Sequence, residues 1–336
     1  MDPQQRLDAL LAAVAGTPRL LILPHNDPDP DAIASALALR YLLQERAGVD
    51  SLVAYSGLIG RAENKALVRY LDYPLVPLLT VGLGPTTRLA MVDAQPGAGN
   101  ILFPDETPVA LVIDHHPWRE ASANAAFADV RPGIGATASI MTDYLRTAGL
   151  EPPTSLATAL FYGVKTDTMG LIRGTSPLDS AAYCYLQSRV DMEALARIEL
   201  AQVPADYFRS FYAAVKAARV YEGVVAVYLG EMDYPDMTAE VADFFLRLED
   251  TRWVVAMGVY AGSLILSVRT TRREGGAGQL IQKAVGSHGT AGGHGTMAGG
   301  NVPLVSASPD VLAHSMLRRL LDGIGVDAET PGRSLI

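Results

Sequence analysis

The chain has 336 residues, enough for about two domains of roughly 150 residues each, each able to bury its own core. Its 36 acidic against 27 basic side chains leave a net charge of −9, which opposes non-specific binding to long nucleic acid and to anionic membrane. One cysteine, Cys184, excludes an intrachain disulfide framework and a cysteine-based zinc cage and fits a reducing compartment; its setting in "AAYCYLQ" predicts a buried helical thiol.

The N-terminal "MDPQQRLDALLAAVAG" reads as an amphipathic helix ended by Gly16 rather than a signal peptide. No apolar run approaches the roughly 18 residues of a membrane span, so a soluble cytoplasmic protein is expected. Strand-like runs then alternate with helical ones: "LLILP", helix "DAIASALALRYLLQERAG", "SLVAYS", helix "AENKALVRYL", "LAMVDA" and "VALVIDHH". That alternation predicts parallel βαβ units with both sheet faces covered. Further helices are expected over 135–149 and 153–164, followed by "KTDTMG" with Asp167 at an element's end. Residues 191–219 read as a helical linker broken by Pro204, separating a domain of residues 1–190 from one of 220–336. The second domain offers "GVVAVYLG", helix "TAEVADFFLRLED", a hairpin in "WVVAMGVYAGSLILSVRTT" turning at 261–263, a glycine-rich stretch and a last helix near 308–322. This is the pattern of a small mixed-sheet α+β domain.

The chemistry concentrates at strand ends. "HNDPDPD" (25–31) closes the first strand, Asp93 ends "AMVDA", and Asp114-His115-His116 ends "ALVIDHH". In open α/β sheets ligands bind outside the carboxyl ends of the strands, so these groups are expected to converge. Pro28 and Pro30 bias Asp27 and Asp29 toward extended backbone, which would turn His25, Asp27, Asp29 and Asp31 roughly one way, with Asp31 placed to cap the next helix. Crowded carboxylates repel one another unless cations neutralise them. Oxygen donors with one or two imidazoles suit manganese or magnesium better than zinc.

"HNDPDPDAIAS", "VDA", "DHH", "TDT" and the late "GGHGTMAGG" occur in the order seen in the DHH family of phosphoesterases, which the chain resembles over about residues 18–302. The resemblance implies a mainly parallel α/β DHH domain flanked by helices, with a smaller α+β DHH-associated domain across a cleft. It also implies two divalent metal ions, manganese before magnesium. His25 and Asp29 would hold one, Asp31, His115 and Asp167 the other, and Asp93 would bridge them. Asp114 would orient a histidine through its other ring nitrogen, and His116 would touch the substrate phosphate or donate a proton. Asp27 falls at a variable position and reads as a turn residue. In the second domain Arg269 and the glycine-rich loop with Gly292, Gly293, His294 and Gly299 would meet the substrate.

Length and architecture are most similar to the NrnA-type oligoribonucleases, which implies hydrolysis of very short RNAs and of 3′-phosphoadenosine 5′-phosphate. The expected partner is therefore a short RNA or nucleotide, with no long nucleic acid and no membrane, and a homodimer is the expected assembly. A linear or cyclic dinucleotide phosphodiesterase and a non-catalytic nucleotide sensor are the alternatives. An inorganic pyrophosphatase is set aside because that branch lacks the "GGH…AGG" domain. Two departures, Ala291 for the usual first glycine and "TDTMGL" for "TDTG" plus an aromatic, bear on substrate fit rather than on metal binding.

Overall fold

The structure is a computed structural model that describes every residue except 72, 85, 102–106, 273, 306–307, 328 and 330, together with the side chain of His294. The chain divides into two units, Met1–Ala201 and Gln202–Ile336.

In the first unit six parallel strands, β1 (Arg19–Leu23), β2 (Ser51–Tyr55), β3 (Val76–Pro77), β4 (Thr87–Val92), β5 (Val109–Asp114) and β6 (Phe127–Val130), lie in the order β3-β2-β1-β4-β5-β6. Successive side chains of a strand point to opposite faces. Leu20 and Ile22 therefore enter the larger core with helices α1 (Pro3–Val14), α2 (Pro30–Ala47), α4 (Thr137–Thr147) and α5 (Thr154–Asp167). Leu21 and Leu23 enter a smaller one with Leu78, Val81 and Leu83. Between these elements lies α3 (Ala62–Leu71), and α6 (Pro177–Gln187) and α7 (Met192–Glu199) complete the unit. β1 has β2 on one side and β4 on the other, so the chain leaves their carboxyl ends in different directions, the kind of switch point at which open α/β sheets bind ligands.

The second unit follows α8 (Ala205–Ala217) with β7 (Arg219–Tyr221), β8 (Val224–Glu231), α9 (Met237–Phe245), β9 (Trp253–Tyr260), β10 (Ser263–Thr270), α10 (Ala277–Val285), β11 (Thr290–His294), β12 (Met297–Pro303), α11 (Pro309–Ile324) and β13 (Arg333–Ser334). Its sheet runs β11-β12-β10-β9-β8-β7-β13, parallel only between β8 and β9. Val255 and Met257 pack toward Ile281 and Met316, while Val254 and Ala256 pack toward Val241 and Phe245, so each face has its own core. The β9–β10 hairpin turns on Ala261 and Gly262, both at positive φ (46° and 76°), as a two-residue turn of that hand requires.

Several expectations change. Residues 191–219 do not form a separate linker: Leu195 and Ile198 of α7 join the first unit's core and Ala214 of α8 joins the second's. Cys184 is exposed, because Ala182 and Leu186, four apart, occupy the inner face of α6. Asp27 is left-handed (φ 54°) rather than extended; its amide donates to Ser56 O at 2.9 Å and its Oδ1 accepts from Leu58 N at 2.6 Å, which ties it to the turn after β2. The cap of α2 is Asp29, whose Oδ1 accepts from Ala32 N at 2.9 Å, with Pro30 at the first helical position where a missing N–H costs nothing. Asp31 thus stands inside the first turn of the helix. The glycine-rich "loop" is the β11–β12 hairpin, and β6, α6 and α10 are elements that the sequence patterns did not delimit.

Candidate metal centre

Three strand ends and one helix end build the site. His25 and Asp29 follow β1, Asp93 follows β4, and Asp114, His115 and His116 close β5. Asp167 arrives differently, as the last residue of α5. Gly163, one turn earlier on the same helix, has no side chain: a Cβ there would stand 3.0 Å from Asp31 Cα and 3.3 Å from Pro30 O. α5 therefore approaches the start of α2 closely enough to place Asp167 beside Asp31.

The result is three overlapping groups, His25–Asp29–Asp93, Asp31–His115–Asp167 and Asp93–His115–His116, each with its ligand atoms within 4.8 Å of one another. His25 Nε2 lies 3.8 Å from Asp29 and 3.5 Å from Asp93, and His115 Nε2 lies 3.5 Å from Asp93 and 3.6 Å from Asp167. These spacings exceed ordinary N–H···O hydrogen bonds. They are separations that a shared cation can span. Backbone carbonyls only accept, so the contacts of His25 Nδ1 with Asn26 O (2.7 Å) and His115 Nδ1 with Ile134 O (3.0 Å) place a proton on each Nδ1. Each Nε2 is left facing the carboxylates, the nitrogen that a metal-ligating histidine presents once it gives up its proton.

Supporting contacts come from residues that pattern reading missed. Thr137 Oγ1 donates to Asp93 Oδ1 at 2.7 Å, and the first amides of α4 donate to Asp31, Thr137 N at 2.7 Å and Ala138 N at 2.6 Å. Asp93 itself is held at φ 56°, a strained conformation of the kind that collects at functional sites. Asp114 accepts from the amides of His115 and His116 and from His116 Nδ1 at 2.8 Å, so the histidine it orients is His116. Gln95, buried two residues after Asp93, completes this arm: its Nε2 donates to Asp114 at 2.6 Å and its Oε1 accepts from Arg119 N and Ser122 Oγ. The only signals for Thr137 and Gln95 in the sequence are their closeness to a helix start and to "VDA".

The charges are out of balance. Burial, then the neighbouring Asp93 and Asp29 carboxylates, push Asp31 well above the ordinary carboxyl range, although the α4 amides oppose the shift. Burial, then Asp29, Asp31 and Asp93, do the same to Asp167, with Arg173 opposing. Burial works against a charged His25, yet Asp29 and Asp93 raise it to about 10; burial likewise works against a charged His116, yet Asp114 and Asp93 raise it to about 9. Every shift toward a proton marks a place short of positive charge. Divalent cations meet that need, and a donor set of four carboxylates and two imidazoles fits two of them of the manganese or magnesium kind.

In the second unit Gly292 pairs with Gly299, Gly293 with Ala298 and His294 with Met297, while Arg269 pairs with Met297 from the other side. Arg269 is buried, and its Nε donates to Asp243 of α9 at 2.6 Å. The side chain of His294 lies outside the described residues.

Fold and donor set together define an α/β protein with a candidate divalent-cation centre at the carboxyl ends of a parallel sheet. Residues 19–164 are similar to the DHH family, N-terminal domain, whose model they match. The chain is 37% identical over 320 residues to an uncharacterised protein of Methanocaldococcus jannaschii; this covers 92% of the chain but 65% of that relative, less than two thirds of its length. It is 26% identical over 262 residues to a probable manganese-dependent inorganic pyrophosphatase of Streptococcus pyogenes, covering 69% of this chain and 82% of that one. A crystal structure of an exopolyphosphatase-related protein from Bacteroides fragilis shares the fold, with TM-score 0.67 and 15% identity over 95% of this chain and 96% of that one. Among the described residues no helix is long and apolar enough to cross a membrane.

Proposed function

We propose that this chain is a manganese-dependent phosphoesterase that hydrolyses short oligoribonucleotides and 3′-phosphoadenosine 5′-phosphate. The observation that carries the reading is the pair of triads, His25–Asp29–Asp93 and Asp31–His115–Asp167, brought together from four separate elements. Two divalent cations held there would neutralise phosphoryl oxygens and acidify an attacking water. The chain's own part is to keep both Nε2 atoms directed at the carboxylates and to hold His116. Asp114 grips His116 Nδ1 at 2.8 Å, which leaves Nε2 to donate a proton to a leaving oxygen. The S. pyogenes relatives are named as manganese-dependent, in keeping with this donor set.

Short substrates follow from the charge. A net −9 disfavours a long polyanion, whose binding depends on many basic contacts. Inorganic pyrophosphate is the second reading, favoured by those same relatives although the late glycine signature counts against it. Purified protein, with Mn²⁺ or with chelator, should be incubated with di- to pentaribonucleotides, 3′-phosphoadenosine 5′-phosphate, cyclic di-AMP and pyrophosphate, and the products resolved by chromatography. Mn²⁺-dependent release of mononucleotides is the expected result, abolished in Asp93→Ala. Turnover of pyrophosphate alone would move the assignment to the second reading, and metal binding with no turnover would favour a nucleotide sensor.

A further inference from the structure

Resting on the dimetal reading, we infer that Asp179 of α6, which touches no ligand itself, is a positioning residue that sets the metal affinity of the site through Gly135. The connection runs through one short segment, residues 134–138. Ile134 O accepts from His115 Nδ1, Thr137 Oγ1 donates to Asp93, and the amides of Thr137 and Ala138 donate to Asp31. Three ligands from three different elements thus take their orientation from five consecutive residues that supply none. A shift of this segment moves all three at once.

Asp179 holds the segment in place. Its Oδ2 accepts from Gly135 N at 2.8 Å, from Ser176 N at 2.7 Å and from Ser176 Oγ at 2.6 Å. Gly135 is seated tightly against the same neighbours: a Cβ there would stand 2.7 Å from Thr168 Cγ2, 3.0 Å from Gly174 O and 3.1 Å from Asp179 Oδ2. Thr168 directly follows the ligand Asp167, so the seat also joins the fourth ligand-bearing segment. Helix capping by itself does not account for this carboxylate. Asp179 is fully buried, and among the described residues its Oδ1 has no hydrogen-bond partner. The capping box of Ser176 and Asp179 explains the bonds to Ser176 but not the one to Gly135 N, and burying a carboxylate with one bare oxygen is costly. Binding Gly135 is the second task that a cap does not require.

Mn²⁺ binding should be measured by calorimetry on the full chain, with thermal unfolding of the metal-free proteins alongside. The variants are Asp179→Ala, Asp179→Asn and Ser176→Ala. Ser176→Ala removes part of the cap and leaves the Gly135 bond, so it should lower the unfolding temperature and keep wild-type affinity. Asp179→Ala should bind Mn²⁺ at least about 10-fold more weakly, because it loosens the segment whose direct contacts with three ligands are of the kind that cost roughly 10- to 100-fold when lost. Asp179→Asn keeps one acceptor oxygen for two sets of donors and should fall between, and it serves if the alanine variant does not fold. Asp179 variants that lose stability yet bind Mn²⁺ as wild type does would overturn the inference, as would an affinity loss in Ser176→Ala equal to theirs. If wild-type protein itself binds no Mn²⁺, the dimetal reading fails instead, and the two failures are told apart.

Discussion

Thr137→Val isolates one hydrogen bond at the centre of the site. The hydroxyl of Thr137, fully buried, donates to Asp93 Oδ1 at 2.7 Å, while its backbone amide donates to Asp31. Valine keeps the shape and the amide and removes only the hydroxyl. A hydrogen bond to a charged group contributes roughly 1.5–3 kcal/mol. At about 2–4 °C per kcal/mol for a unit of this size, the metal-free protein should melt about 3–12 °C lower. Asp93 belongs to two of the three ligand groups, so loosening it should also weaken Mn²⁺ binding by roughly 10-fold or more. Differential scanning fluorimetry with chelator and calorimetric Mn²⁺ titration read the two effects separately. An unfolding temperature within about 1 °C of wild type, together with unchanged affinity, would refute the role given to this hydroxyl.

Asp167→Asn should stabilise the metal-free protein at pH 8 and abolish the rise in unfolding temperature that Mn²⁺ gives wild type. A carboxyl whose folded pKa is raised contributes stability below its unfolded pKa and loses it as pH rises through the folded value, so the gain should shrink toward pH 4; equal melting at both pH values would contradict the charge imbalance. Away from the site, Asp129 accepts from Arg131 Nη2 and from Tyr144 Oη, each at 2.6 Å. Burial would raise its carboxyl, but these partners hold it below the ordinary range, so its contribution is full above that range and lost as pH falls through the lowered value. Tyr144→Phe should cost roughly 1.5–3 kcal/mol in urea unfolding at pH 7 and less at pH 3; no pH dependence of that difference would argue against the linkage. Gly293→Ala puts a Cβ 2.4 Å from Ala298 Cα at φ 140°, so it should loosen the β11–β12 hairpin and raise amide exchange there while Mn²⁺ affinity stays unchanged.

Much of the first unit was legible in the sequence because its signals are local. Alternating apolar runs delimit β1, β2, β4 and β5, and the run "AENKALVRYL" coincides with α3. Three of these runs end at His25, at Asp93 and at Asp114–His116, while Asp29, Asp31 and Asp167 came in as candidate ligands through the family resemblance. Local signals misled where a neighbour distant in sequence decides the conformation. Asp27 precedes a proline, yet its bonds to Ser56 and Leu58, some thirty residues on, set its backbone, and the cap passed from Asp31 to Asp29. The glycine run read as a loop because nothing in its own composition announces the strand partners that make it a hairpin.

The sequence by itself determined the kinds of donor, their order and their places at the ends of apolar runs, since these depend on residue type and periodicity. Only the tertiary structure decided which donors meet, and through what. Gly163 brings α5 onto α2, α4 begins where its amides reach Asp31, and Asp179 seats Gly135. Those are contacts between residues from 44 to more than 100 positions apart, fixed by packing and by hydrogen bonds that no local pattern encodes.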